Sequence, residues 1–473
     1  MEIKMKLQFK KSLYFVALSV SLSLAATTAR AESLADALVS AYNHSGLLEQ
    51  NRALLRAADE DVAAAGAALQ PIVNWSAQAQ RSFGNTSTST GFTSSLSNTN
   101  LTLSLTASLL LYDFGGSAAS IEAARETVFA TRAQLVSIEQ QVMLRAVTAY
   151  LSVRSASEFV KLRQNNLRLL TQELRAAKDR FDVGEVTRTD VALAQARLAQ
   201  ARSGLAGSQG DLLRSREEYA NVIGHQPKQL PQLPRLPRIE RKVASAKALA
   251  VRSHPDMIAA QHQVSAVEFS IKSAEAEFKP KVNLQGSLTV QESLSSNNFT
   301  RNGTVGVSVG GPIYRGGRLS SNVRRAMAQR DALRGNLHIV RHNVQQSVGN
   351  AYATYSSVNA SLQASQEQIR ASRVAFRGVR EEASLGARTT LDVLDAENEL
   401  LNAEAALISA QTEQYVAAYT ILSSTGLLTA KTLGLNVQQY DPEAYYKLVK
   451  DGVAKKSKQG AQLDKVLRAL QRD

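Results

Sequence analysis

Two pairs of side chains have a spacing that could support chemistry. His338 and His342 lie four residues apart on a predicted helix, a spacing that can hold a metal ion. Ile339 stands where the glutamate of a zinc protease would lie, and the sequence offers no third ligand, so we expect no metal site. Asp392 and Asp395 lie three residues apart at the start of another predicted helix and therefore share one face.

Other patterns of enzyme chemistry do not occur in the sequence. There is no nucleophilic triad, no phosphate-binding loop and no cysteine. The glycine pairs lack the strand–Gly-x-Gly-x-x-Gly–helix context of nucleotide binding. We therefore predict no catalytic residue, no cofactor and no enzymatic activity.

The first 31 residues have the features of a secretory signal. A basic stretch is followed by an apolar run from Leu13 to Ala26 and by the cleavage site Ala29-Arg30-Ala31, so we expect the mature chain to begin at Glu32. No later apolar run reaches the length of about 18 residues that a transmembrane helix needs. The net charge is +14. Because the chain is exported and its basic residues are scattered along helices, we do not expect a nucleic-acid partner.

The aspartates belong to a segment that occurs twice, about 200 residues apart. The equivalent residues are Gly184 and Gly386, Thr187 and Thr389, and Asp190 and Asp392. We predict two tandem structural repeats, followed by a final segment with a basic, mobile tail. Their bounds are 32–225 for the first repeat, 226–240 for a Pro-rich linker, 241–428 for the second repeat and 429–473 for the final segment.

Each repeat has the same predicted order of helix, two strands, long helix and second helix. The strands alternate apolar and polar residues over 72–81, 99–111, 281–291 and 303–313, so each has one apolar face. About ten residues suit a tilted strand that crosses an outer membrane. A soluble β-sandwich also alternates, but the signal peptide and the long helices favour the membrane.

The helices are predicted over 117–182 and 187–223, and over 318–385 and 389–425. At about 1.5 Å per residue the longest would extend roughly 100 Å, which favours coiled-coil packing. A glycine ends each long helix, and a threonine with an aspartate three residues later caps the next helix. Each repeat therefore contains an antiparallel helical hairpin.

Four strands are too few to close a membrane barrel, because the smallest closed barrels have about eight. Open sheet edges in lipid would leave backbone groups without hydrogen bonds, so several chains must share one barrel. Two chains would supply eight strands and three chains twelve. The polar helices must project into the periplasm, and a barrel continued by helices is a conduit. The alternative is a periplasmic coiled-coil adaptor or structural protein.

The chain resembles the TolC family of outer-membrane efflux and type I secretion channels over about residues 32–428. The most specific segment is 386–396, Gly-Ala-Arg-Thr-Thr-Leu-Asp-Val-Leu-Asp-Ala, and the strand-to-helix junctions are also typical. The junction residues are Tyr112, Gly115, Gly116, Tyr314, Gly316 and Gly317.

This resemblance implies an α+β membrane protein of the outer membrane with a long periplasmic extension. Three chains would form a twelve-stranded β-barrel continued by a periplasmic α-helical barrel, with residues 429–473 beginning as an equatorial segment. The implied partners are outer-membrane lipid, a periplasmic adaptor protein and an inner-membrane transporter.

The resemblance also assigns roles to residues at the helical turns. Asp392 and Asp395 would line the closed periplasmic entrance, where three chains give six cation-attracting carboxylates. Asp395 has Leu193 as its repeat counterpart, so no shared structural need explains it, whereas Asp392 also caps a helix. Arg388 would pair with Asp190 of another chain and latch the tip. A tyrosine usually takes part three residues before the glycine, and here Ala383 stands in that place.

Overall fold

The computed structural model describes residues 32–230 and 233–449, together with Gln462 and Lys465. The expected signal peptide, residues 1–31, lies outside the described residues. The chain folds into two compact units, and each takes segments from both repeats. The sequence repeat is therefore not the unit of packing.

The described elements recur in the same order in both repeats. The first repeat contains α1 (Leu34–His44), α2 (Gly46–Ala67), β1 (Ile72–Ser87), β2 (Thr93–Tyr112), α3 (Gly116–Asp182) and α4 (Arg188–Ile223). The second contains α5 (Val243–Ser253), α6 (Pro255–Ala276), β3 (Lys281–Ser293), β4 (Phe299–Gly310), α7 (Arg318–Ser384) and α8 (Thr390–Ser424), and α9 (Pro442–Val449) follows. Each repeat thus begins with two helices, and our prediction of a single helix there was wrong.

A local signal divides the two helices at the start of each repeat. The side chain of Ser45 accepts the N–H of Leu48 at 3.3 Å and caps α2. Pro255 has no N–H to donate and begins α6, while His254 Nδ1 accepts the N–H of Asp256 at 3.2 Å. These residues interrupt an apolar pattern that otherwise continues from one helix into the next.

The strands form one antiparallel sheet in the order β1-β2-β3-β4. β2 of the first repeat pairs with β3 of the second, and a row of apolar residues, Trp75, Leu105 and Leu288, crosses three strands in register. This face is open in the single chain, where 75% of Trp75 is exposed. The opposite face carries hydroxyls, and Ser104 and Thr289 hydrogen-bond at 3.2 Å. One face is thus apolar and the other polar, as the period of two predicts.

The bounds of the strands differ from the predicted ones. The predicted bounds were 72–81 and 99–111, but β1 and β2 continue beyond them until Ser87 lies opposite Thr93. β4 begins at Phe299 and ends at Gly310 rather than at residue 313. Pro312 cannot donate a ladder hydrogen bond, so the strand stops before it.

We predicted that the basic tail of the final segment is mobile, but its first part is ordered, because α9 packs against α2. Tyr445 and Val449 are buried with Ala63, and Tyr445 Oη donates to Glu60 Oε1 at 2.7 Å. Apolar residues four apart give α9 one buried face. The rest of the predicted tail lies outside the described residues, apart from Gln462 and Lys465.

The predicted Pro-rich linker is held to the body of the protein by tyrosines. Tyr415 Oη donates to the Pro234 carbonyl at 2.6 Å, and Tyr352 Oη donates to the Glu240 carbonyl at 2.6 Å. The repeat counterpart of Tyr352 is Tyr150, whose Oη donates to the Glu32 carbonyl at 3.2 Å. Equivalent tyrosines therefore fasten the segment that leads into the first helix of each repeat.

The unit that contains the helical turns has an apolar seam between α3, α4 and α8. Small residues form much of it, since Ala194 and Ala201 of α4 pack against Leu170 of α3 and Leu394 of α8. Alanine lets the helices approach closely. Within the described ranges, no helix is both long enough and apolar enough to cross a lipid bilayer.

The close approach of Gly311 to Pro280 gives a test of the end of the sheet. A Cβ on Gly311 would lie 2.7 Å from Pro280 Cα, so the backbone must shift. We expect Gly311→Ala to destabilise the sheet by about 1–3 kcal/mol, measured by denaturant unfolding in detergent. The neighbouring Gly310→Ala is the control, because its Cβ would meet nothing within 4 Å. Equal stability of the two variants would contradict this packing.

Candidate functional site at the helical turns

Each long helix ends in a glycine turn that reverses the chain. Gly184 and Gly386 have φ values of 83° and 77°, a left-handed conformation that favours glycine. The N–H of the next residue, Glu185 or Ala387, donates to the carbonyl five residues back at 2.9 Å. This hydrogen bond satisfies a free helix carbonyl and ends α3 and α7 in the same way.

The next helix begins at a reciprocal cap in both repeats. The N–H and Oγ1 of Thr187 donate to Asp190 Oδ2 at 2.9 and 2.7 Å, and the Asp190 N–H donates back to Thr187 Oγ1 at 3.3 Å. Thr389 and Asp392 repeat this arrangement at 2.9, 2.8 and 3.2 Å. Hydrogen bonds from Thr187 lower the pKa of Asp190, and those from Thr389 lower the pKa of Asp392. Both caps therefore hold an ionised carboxylate at neutral pH.

Asp395 has a partner within the chain that the sequence analysis did not identify. Its Oδ1 lies 2.8 Å from Nη2 of Arg197 on α4. Its repeat counterpart Leu193 instead packs at the edge of the apolar seam. Our argument that Asp395 lacks a structural explanation was therefore wrong, because an ion pair to the neighbouring hairpin explains it. Within one chain Asp392 is held by its cap and Asp395 by Arg197.

Arg388 and Asp190 do not pair with each other within one chain. Arg388 Nε donates to Glu382 Oε2 at 2.8 Å, and Asp190 serves the Thr187 cap. Ala383, three residues before Gly386, is 6% exposed and packs with Phe376 in an apolar cluster. The alanine thus contributes to helix packing and offers no hydroxyl to the tip.

The two turns line one groove with a volume of 550 Å³. Its walls are mixed in charge, and the residues that line it include Arg180, Glu185, Asp190, Leu385, Arg388 and Thr389. Exposed aliphatic side chains mark the tips, where Val183 is 71% and Leu385 84% exposed. The turns therefore present apolar side chains beside both positive and negative groups.

A buried carboxyl lies two residues beyond Asp395. Glu397 is 4% exposed, and its Oε1 accepts a hydrogen bond from Asn166 Nδ2 at 2.7 Å. The sequence carried a signal for it: Glu397 lies three residues after Leu394 and four before Leu401, so it stands on the apolar side of α8. A charged residue in such a position indicates a specific buried contact.

At the first strand-to-helix junction, Asp113 makes the hydrogen bonds that hold the turn between β2 and α3. Its Oδ2 accepts hydrogen bonds from the N–H and Oγ of Ser117, both at 2.6 Å, and its Oδ1 accepts the N–H of Gly115 at 3.2 Å. Tyr112 is half-exposed and packs against Phe114, with ring centroids 4.7 Å apart and the rings tilted by 59°. A Cβ on Gly116 would lie 3.0 Å from Ala276 Cβ. Here the aspartate, which we had not singled out, starts the helix.

The second junction is one residue shorter and has no aspartate. Tyr314 is 85% exposed, and Gly316 and Gly317 turn the chain with φ values of 57° and 81°. The two junctions are therefore similar in sequence but differ in their contacts.

The histidine pair on α7 is exposed, and the Nε2 atoms of His338 and His342 lie 3.0 Å apart. Across the part of the chain that the structure describes, no group of three or more His, Cys, Asp or Glu side chains is placed to hold a metal ion.

Comparison with known proteins settles the family. The chain matches the family described as outer membrane efflux protein over residues 37–225 and 247–427. The chain belongs to this family. The two matched ranges correspond to the two repeats, and the family is one of channels rather than enzymes. This outer membrane efflux protein is thus a channel of the outer membrane with a periplasmic extension, and the adaptor alternative was wrong.

Two curated relatives show how far the similarity extends. The chain is 34% identical over 448 residues to the outer membrane efflux protein BepC of Brucella suis, covering 94% of this chain and 96% of BepC. It is 25% identical over 315 residues to the outer membrane protein TolC of Escherichia coli, covering 62% of this chain and 63% of TolC. The TolC resemblance that the turn and junction motifs indicated is confirmed.

Solved structures share the fold. The Campylobacter jejuni CmeC outer membrane channel has a TM-score of 0.75 at 15% identity, covering 89% of this chain and 90% of that one. The open state of the Neisseria gonorrhoeae MtrE outer membrane channel has a TM-score of 0.70 at 22% identity, covering 84% of this chain and 90% of that one. The α+β channel fold with tandem repeats is therefore confirmed.

Proposed function

We propose that three copies of this outer membrane efflux protein form one conduit from the periplasm to the cell exterior. The observation that carries the proposal is the four-stranded sheet with β1 and β4 at its two edges. In lipid, unpaired backbone groups along these edges cost several kcal/mol each, so an edge needs a partner strand. Pairing β4 of one chain with β1 of the next closes a ring, and three chains give twelve strands.

The two faces of the sheet suit this arrangement. The apolar face, with Trp75, Leu105 and Leu288 in one row, would contact outer-membrane lipid. The hydroxyl-rich face, with Ser104 and Thr289, would line the water-filled interior. Because the helices are too polar for lipid, they would continue the conduit into the periplasm as an α-helical barrel.

The helical turns would form the periplasmic entrance. Each chain brings Asp392 and Asp395 to the start of α8, so a trimer would place six carboxylates around the axis. The ion pair of Asp395 with Arg197 reduces the charge that one chain contributes. Arg388 and Asp190 line the same groove. They would latch neighbouring chains by leaving their partners within one chain and pairing with each other across two chains.

The groove between the turns suits a docking role. Members of the family work with periplasmic adaptors and inner-membrane pumps. The exposed Val183 and Leu385 offer apolar contacts, and the groove supplies charges of both signs around them. We infer that the tip of a periplasmic adaptor binds here and connects the channel to an inner-membrane transporter, for efflux or for type I secretion.

Cysteine crosslinking tests the shared barrel, since the native chain has no cysteine. Pairs with one cysteine at Ser76 or a neighbouring polar position of β1 and one at Thr304 or Ser308 of β4 should link chains into dimers and trimers. The matched control places cysteines at Ser104 and Thr289, whose hydroxyls lie 3.2 Å apart, and should link only within one chain. If every β1–β4 pair stays uncrosslinked while the control forms, the shared barrel is wrong.

Ion selectivity in planar bilayers tests the carboxylate ring. The double variant Asp392→Asn with Asp395→Asn should lower cation selectivity and weaken block by trivalent cations, by roughly an order of magnitude. Arg197→Gln should act in the opposite direction, because it removes the positive charge beside Asp395. Glu399→Gln, an exposed carboxyl on the same helix, is the control. Unchanged selectivity in the first two variants would remove both aspartates from the entrance.

A further inference from the structure

Glu397 places an ionisable group inside the helix packing, just beyond the two aspartates. The carboxyl is 4% exposed, and it faces Asn166 of α3. Oε1 accepts the 2.7 Å hydrogen bond from Asn166, whereas Oε2 is buried with no hydrogen-bond partner among the described residues. A small cavity of 40 Å³ lies alongside, also lined by Arg163 and Arg197. Burying a negative charge here is unfavourable unless a positive group is free to neutralise it.

Two of the cations near Glu397 already have carboxylate partners. Arg197 of α4 pairs with Asp395 at 2.8 Å, and Arg380 of α7 pairs with Glu173 of α3 at 3.3 Å. Arg163 of α3 lines the same cavity, where it packs against Gly204 of α4. Within the described residues none of these three arginines forms an ion pair with Glu397, whose Oε2 has no hydrogen-bond partner.

We propose that Glu397 is a proton-responsive positioning residue that couples the packing of the first turns of α8 against α3 to periplasmic pH. The protonated carboxyl keeps the hydrogen bond from Asn166 and adds no charge to the cluster. The ionised carboxylate introduces a buried charge without an ion-pair partner into the seam that contains Leu394 and Leu170. Its repeat counterpart, Gln195, is uncharged, so only one of the two hairpins carries this response.

The direction of the response follows from the pKa. The pKa of Glu397 is raised from 4.5 to about 7, chiefly by burial; Glu173 also raises it, whereas Asn166, Arg380 and Arg197 lower it. A carboxyl whose pKa is raised by packing stabilises that packing fully below its ordinary pKa of 4.5. The stabilisation is lost as the pH rises through about 7. Acid should therefore tighten the start of α8 and alkali should loosen it.

The consequence for conduction rests on the proposed entrance, because Asp392 and Asp395 occupy the first turns of the same helix. The packing response itself does not depend on that proposal. Loosening α8 above neutral pH would make the entrance easier to open, and tightening it in acid would hold the entrance shut.

Hydrogen–deuterium exchange of the full chain in detergent tests the response directly. Peptides covering 390–401 are compared between the native protein and Glu397→Gln at pH 4.0 and at pH 8.5, so that the intrinsic pH dependence of exchange cancels. At pH 4.0, below both the ordinary pKa of 4.5 and the raised pKa of about 7, the two should exchange within about twofold of each other, because glutamine resembles the protonated acid. At pH 8.5 the native protein should exchange at least tenfold faster, with an upper limit on the order of 100-fold.

Controls separate this effect from a general disturbance of the helix. Glu399→Gln removes an exposed carboxyl two residues away and should follow the native protein at both pH values. The carboxyl infrared band lost in Glu397→Gln should titrate with a midpoint near 7 in the native protein, and this reading holds even if a variant folds poorly. A midpoint near 4.5, or an equal exchange ratio at both pH values, would overturn the proposal.

Conductance distinguishes this inference from the proposed entrance. If both proposals hold, native conductance should rise between pH 5.5 and pH 8.5, and Glu397→Gln should abolish most of that rise. If exchange depends on pH but conductance does not change, the response of Glu397 is supported and the proposed entrance at the start of α8 is contradicted. A conductance that depends on pH in the same way in Glu397→Gln would contradict the role of Glu397. The pH dependence would then be assigned to Asp392 and Asp395 at the entrance.

Discussion

Pairing of β2 with β3 is the interaction on which the rest of the structure depends. It joins the two repeats in one sheet, with Leu105 of the first opposite Leu288 of the second. Without it each repeat would contribute an isolated hairpin, which is marginally stable on its own. The same pairing leaves β1 and β4 at the edges, and the requirement that every backbone group in lipid be hydrogen-bonded then acts on those edges.

Repetition in the sequence predicted the parts of the structure that depend on local physics. Glycine at Gly184 and Gly386 and the caps at Thr187 and Thr389 work through hydrogen bonds within a few residues, so the sequence alone locates them. Alternation with a period of two likewise located every strand. Strand ends were less predictable, because β4 stops where Pro312 lacks a donor while β1 continues through polar residues that find partners in β2.

Contacts between distant segments could not be predicted in this way. Arg197 and Asp395 lie on different hairpins, and nothing local in either sequence specifies their ion pair. The hydrogen bond from Tyr445 to Glu60 joins residues 385 positions apart and was likewise missed. Glu397 is an intermediate case, since its place on an apolar face was visible but its partner Asn166 was not. Differences between the repeats, rather than their similarities, mark these contacts.

The central claim is that three chains share one barrel through their edge strands, and a structure of the full chain in lipid nanodiscs by electron cryomicroscopy tests it most directly. The account predicts threefold particles in which β4 of each chain hydrogen-bonds to β1 of the next and the turns at Gly184 and Gly386 meet around the axis. A particle in which β1 and β4 belong to a sheet closed within one chain, or in which these edges lie free in lipid, would contradict it.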